Sequence, residues 1–168
     1  MARVNTLEGL KEYTHDSFKD HRGELYTLWK NTETALDFNH DKLATSDFNV
    51  LRGLHTDKSW KLITCVYGKI QLVVVNFDPT SKQYLFWTDY VLDSENINKV
   101  SVLVPPGFLN GHLVLSEKAV FHYKWSYNGD YPDVDFQTSV KWSDPKIGIN
   151  WLLDSPILSD RDKNIPLL

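Results

Sequence analysis

The sequence predicts an all-β fold, a double-stranded β-helix jelly roll of two packed sheets. Short runs rich in β-branched and aromatic residues recur at fairly regular spacing along most of the chain. Turn residues punctuate them, as in Tyr67-Gly68-Lys69 and Pro105-Pro106-Gly107. Helical patterning is confined to a few short stretches. Near the N-terminus, residues 23–29 alternate in polarity and read as a strand outside the barrel, available to pair with a neighbouring chain. Residues 41–44 read as a short helical turn. A strand carries Arg52-Gly53-Leu54-His55; alternation predicts Gly53 and His55 on one side, Arg52 and Leu54 on the other. Strands follow over 62–67 and 70–77. The second contains the unbroken run Leu72-Val73-Val74-Val75, which predicts cover on both faces. Further strands are predicted over 84–92, 100–104, 112–115 and 119–127. Short helical turns are predicted over 94–98 and in the tail after Ser159.

A chain of 168 residues reads as one domain, 1–168, large enough to bury a sizeable core. Hydrophobic residues make up 42% and aromatic residues 13%, which predicts a packed globule rather than disorder. The net charge of −4, with both signs interspersed, argues against a nucleic-acid or membrane-surface partner. A phosphate-bearing ligand must therefore meet a local basic cluster. Cys65 is the only cysteine, and no apolar stretch reaches membrane-spanning length, so a cytoplasmic setting is predicted.

Several residues have the chemistry of a site. His55 carries an imidazole beside Gly53 on a predicted inward face; taken alone it reads more readily as a core histidine than as a catalytic one. In Phe121-His122-Tyr123-Lys124-Trp125, alternation puts Phe121, Tyr123 and Trp125 on one face, an aromatic stripe. Arg22, in Asp20-His21-Arg22-Gly23, and Arg52 have the planar fork that matches phosphate oxygens, and structural ion pairs are the alternative for both. The tail segment Leu158-Ser159-Asp160-Arg161-Asp162 offers two carboxylates.

In this order, Asp-x-Arg-Gly, Arg-Gly-Leu-His, Lys61, Pro105-Pro106-Gly107-Phe108-Leu109-Asn110-Gly111-His112, Tyr123 and the acidic tail resemble the dTDP-4-dehydrorhamnose 3,5-epimerase family, a family of cupin-type jelly rolls. The resemblance runs from about residue 20 to 168. It implies that His55 is the general base, that Asp162 orients it, that Tyr123 is the general acid and that Lys61 lies near the substrate's keto oxygen. Asp160 is the alternative to Asp162, and Tyr127 and Tyr131 rank below Tyr123. It also implies a homodimer.

The chain departs from the family at several positions. Asn110 stands where the family has a histidine, His40 and Lys42 where it has Gln and Asn, Thr27 where it has Glu and Leu72 where it has a carboxylate. The loop between His55 and Lys61 is shorter. In the family these are base-, sugar- and pocket-facing positions, so the resemblance implies that His40, Lys42 and Asn110 join Arg22 and Arg52 as binding residues. The catalytic set is kept and the recognition set altered, which predicts the same reaction on a different sugar.

The predicted activity is therefore epimerisation at C3, C5 or both of a nucleotide-diphosphate 4-keto sugar, dTDP- or GDP-linked, a 6-deoxyhexose or a heptose, in surface-polysaccharide biosynthesis. No cofactor is predicted, because the carbonyl is the electron sink. No metal is predicted either: a cupin metal site needs His-x-His and a later Glu, whereas His55 is followed by Thr56-Asp57-Lys58, leaving His112 a lone candidate ligand. The alternatives are a sugar-nucleotide 3,4-ketoisomerase, which requires paired histidines at the active strand, and a non-catalytic carbohydrate-binding cupin.

Overall fold

A computed structural model describes residues 1–56, 58–127 and 137–168. Two five-stranded antiparallel sheets dominate. The first has the order β1 (Lys11–His15), β9 (Lys99–Val104), β6 (Trp60–Tyr67), β11 (Lys118–Ser126), β4 (His40–Asp47). The second runs β12 (Thr138–Ser139), β5 (Leu51–Thr56), β10 (Phe108–Val114), β7 (Lys69–Asn76), β8 (Trp87–Asp93). A separate hairpin joins β2 (Ser17–Asp20) to β3 (Gly23–Tyr26), and the C-terminal α1 spans Asp160–Lys163.

The main core lies between the sheets. Ile63, Val102, Val104 and Phe121 of the first sheet pack with Ile70, Leu72, Val74 and Val114 of the second. The other face of the second sheet is covered as well. Val73, Val75 and Leu109 pack there against Val140 and Ile147 from the C-terminal segment. The run Leu72–Val75 thus divides its side chains between two cores, which is why it reads as continuously apolar.

Several elements differ from expectation. Residues 41–44 form no helical turn; they lie inside β4, paired residue for residue with β11. Side chains there alternate between half-buried and exposed, and ladder pairing overrides the local helical preference of Leu43-Ala44. Residues 94–98 form turns without helix, closed by the Asp93 carboxylate accepting from Glu95 N–H and the Asn96 amide oxygen accepting from Asn98 N–H. The strand expected from residue 84 begins at Trp87, because Leu85 adopts a positive φ of 63°. β10 starts at Phe108, four residues before the expected strand. Only residues 23–26 of the 23–29 segment are strand, and their partner is β2 of the same chain. The tail does form a helical turn: the Ser159 hydroxyl caps α1 by accepting from Asp162 N–H at 3.1 Å.

Candidate active site

A cavity of about 500 Å³ opens between the sheets. The second sheet contributes Arg52 and His55 from β5 and Asn110 and His112 from β10; the first contributes Lys61 from β6 and Phe121 and Tyr123 from β11. Ser159, Arg161 and Asp162 close one side.

His55 and Arg52 share this cavity, although simple alternation would part them. Asn110 pairs with His55 and His112 with Arg52, so a three-residue step on β5 opposes a two-residue step on β10. The extra residue is a β-bulge, and it returns Arg52 to the face of His55. Gly53 makes the bulge possible. A Cβ there would stand 2.6 Å from the Gly111 Cα and 2.9 Å from the Asn110 carbonyl oxygen. Its φ of 125° is open to glycine alone. The space that Gly53 leaves is filled by β10 backbone rather than reserved for a ligand.

Around His55 the geometry fixes a proton inventory. Its Nε2 stands 3.0 Å from Oδ1 of Asp162, set off the line of a straight hydrogen bond. Its Nδ1 lies 2.8 Å from the Ser139 hydroxyl. An ionised carboxylate only accepts, so Nε2 carries the proton and Nδ1 the lone pair. Ser139 accordingly donates to Nδ1 and accepts from Arg161 Nη2 at 2.9 Å. Burial pushes the Asp162 carboxyl up, but the His55 ring and the Gly53 N–H outweigh it and hold the group below the ordinary carboxylate value. Asp160 points elsewhere; it is exposed and lies 3.4 Å from Lys163.

Lys61 is buried, its Nζ 5.8 Å from the centroid of the Trp125 ring. Phe121, Tyr123 and Trp125 form the expected stripe, with successive ring centroids 5.4 and 6.4 Å apart. Tyr127 continues it, stacked on Trp125; Tyr131 lies outside the described residues. Asn110 lines the cavity and donates from Nδ2 to the His55 carbonyl at 3.1 Å. Arg52 donates to the Ser46 hydroxyl at 2.9 Å.

Three predicted binding residues lie off the cavity wall. Lys42 pairs with Tyr123 across β4 and β11, its Nζ 4.0 Å from the Trp125 ring centroid. His40 pairs with Trp125, and the two rings meet edge to face. Arg22 sits at the exposed end of the β2–β3 hairpin, bonded through Nη2 to Asp20 at 2.6 Å.

Ser139, Arg161 and His112 were missed as site residues. Ser139 lies in a two-residue strand with no periodic signal, and pairing of β12 with β5 is what brings it to His55. Arg161 was legible only as the residue between two aspartates. His112 is visible in sequence, but only as a lone metal ligand. Among the described residues, no group of three or more His, Cys, Asp or Glu side chains is placed to hold a metal ion.

Comparison with known proteins finds relatives along nearly the whole chain. An Escherichia coli (strain K12) dTDP-4-dehydrorhamnose 3,5-epimerase is 33% identical over 159 residues, covering 88% of this chain and 83% of the relative. A Streptomyces dTDP-4-dehydro-6-deoxyglucose 3-epimerase is 31% identical, covering 97% and 86%. The crystal structure of the Bacillus anthracis dTDP-4-dehydrorhamnose 3,5-epimerase with TDP and PPi bound superposes with a TM-score of 0.88 at 29% identity, covering 98% of each chain. Residues 5–168 match the family of those enzymes, and with the jelly roll and its His55-lined cavity in place, the chain belongs to the dTDP-4-dehydrorhamnose 3,5-epimerase family.

Proposed function

We propose that this chain epimerises a nucleotide-diphosphate 4-keto sugar, with His55, Asp162, Tyr123 and Lys61 as its catalytic set. One observation carries the reading: His55 and Tyr123 line a single cavity from opposite sheets. Inversion needs a base on one face of a carbon and an acid on the other. A C4 ketone acidifies the protons on C3 and C5. His55 takes one of them through its unprotonated nitrogen, which Ser139 must first release. Asp162 favours the imidazolium that results. The electron pair moves onto the C4 oxygen, where the ammonium of Lys61 stabilises the enolate. Tyr123 returns a proton from the opposite face, and the centre is inverted.

Arg52 is assigned to the diphosphate and Asn110 to the wall around the nucleotide and sugar, while Lys42 and His40 stand behind that wall against the Trp125 ring. Arg22 projects from a hairpin that also exposes Phe18 and Leu25. This supports a homodimer in which the hairpin packs on a second copy and Arg22 serves the partner's cavity. One cupin-like domain spanning 1–168 carries all of this. Among the described residues no helix is long and apolar enough to cross a membrane. With its single cysteine buried, the chain suits a cytoplasmic setting.

The test is incubation of dTDP- and GDP-linked 4-keto-6-deoxyhexoses and 4-keto-heptoses in deuterated water, with NMR to locate exchanged carbons. Exchange and inversion at C3, C5 or both is the expected result. No exchange in any substrate discards the reading.

A further inference from the structure

His112 is a polar group that the mechanism leaves unused. It lines the cavity from β10, yet it is 4% exposed and its Nε2 is buried with no protein partner. A buried polar nitrogen without a partner costs free energy, so its persistence in a cavity wall calls for a ligand. One face of its ring is held in place. The ring stacks on Phe121 with centroids 4.1 Å apart and planes 9° apart. Phe121 in turn touches Tyr123, at 5.4 Å between centroids. One aromatic ring therefore separates His112 from the proposed acid, and its ladder partner is Arg52, which puts it between the reacting end of the sugar and the diphosphate.

The state of the ring narrows the ligand further. Burial, and after it the Arg52 guanidinium, push His112 down to about 3. The imidazole is thus neutral at working pH, with one donor and one acceptor. That pattern suits a hydroxyl, which accepts and donates in turn; it offers a phosphate no charge, and Arg52 is the group for that task.

We propose that His112 is a specificity residue, hydrogen-bonding a sugar hydroxyl that takes no part in proton transfer. The inference rests on the epimerase reading and deepens it: the sugar keeps a hydroxyl outside the reacting C3–C4–C5 unit, and this chain selects for it.

The test uses two pairs of nucleoside-diphosphate 4-keto sugars, one pair differing by the hydroxyl on the exocyclic carbon next to C5, the other by the hydroxyl on C2. The wild type should prefer the hydroxylated member of one pair in kcat/KM. His112→Phe keeps a stacked ring against Phe121 and removes both polar atoms. It should reduce that preference on the order of 10- to 100-fold, since a hydroxyl would then be buried unpaired. A purely structural role would slow every substrate alike. If melting shows that His112→Phe does not fold, His112→Leu, which also removes both polar atoms, carries the test with the same expected loss of preference. Equal ratios in wild type and variant for both pairs overturn the proposal. A wild type that turns over none of the four sugars overturns the epimerase reading along with it.

Discussion

The imidazole of His55 on β5 and the carboxylate of Asp162 on α1 meet at 3.0 Å, bringing a central strand against the last helical turn of the chain. The second carboxylate oxygen accepts from the Gly53 N–H at 3.4 Å. Asp162 thus binds both the base and the bulge that positions it. Asp162→Asn should fold and lose turnover on the order of 10²- to 10⁴-fold, as when an orienting carboxylate is neutralised beside a catalytic histidine. A stability effect should accompany this. The folded carboxyl sits below its unfolded value, so its stabilisation is present above about pH 3.9 and is lost as pH falls through the depressed value. Wild type should therefore melt above Asp162→Asn at pH 7, with the gap closing in acid. Unchanged turnover in the variant would dissolve the pair.

His55→Asn should abolish deuterium incorporation at every carbon of the substrate. The amide keeps much of the polar contact with Ser139 and Asp162 but has no basic nitrogen. The decisive measurement is exchange rather than net conversion, because exchange reports the first proton transfer alone. Incorporation at the wild-type rate would move the base elsewhere in the cavity.

The proposed site residues could be named in sequence because the family resemblance attaches each to a short segment: Arg-Gly-Leu-His for His55, a period-2 aromatic stripe for Tyr123, the Leu-Ser-x-x-Asp tail for Asp162. The sheets were legible in local runs such as Leu72–Val75. What sequence hid was pairing. The face of Arg52 was misassigned because a bulge is a mismatch of step between two strands, and only the β5–β10 register reveals it. Ser139 was invisible because it reaches His55 through the pairing of β12 with β5, across a long separation in sequence. The stretch 41–44 was misread because β11 lies against it, and propensity yields to a ladder.

His112 predicts an acid-sensitive term in stability. Its folded value lies near 3, against an ordinary value of 6.5. Below about pH 6.5 the unfolded chain binds a proton that the folded chain refuses. The contribution is complete above pH 6.5 and is lost progressively as pH falls toward 3. Thermal melts of wild type and His112→Phe between neutral and mildly acid pH should show the shallower decline in the variant. Parallel curves would mean that His112 is protonated in the folded state as readily as in the unfolded one.

Tyr123 faces His55 across the cavity from the other sheet, and its role can be separated from that of the base. Tyr123→Phe removes one hydroxyl and keeps the ring between Phe121 and Trp125, so the packing cost should be about 1 kcal/mol or less. His55 remains able to remove a proton. It returns a solvent-exchanged one to the face it came from, since the opposite face has lost its donor. The variant should therefore incorporate deuterium with retention of configuration at one carbon or more, while its rate of inversion there collapses. The two readouts belong in one experiment in deuterated water, with the label located by NMR and the stereochemistry read from ring coupling constants. Loss of exchange together with inversion would tie Tyr123 to the first proton transfer instead. Inversion at the wild-type rate would return Tyr123 to the aromatic stripe of the wall and leave a water as the acid.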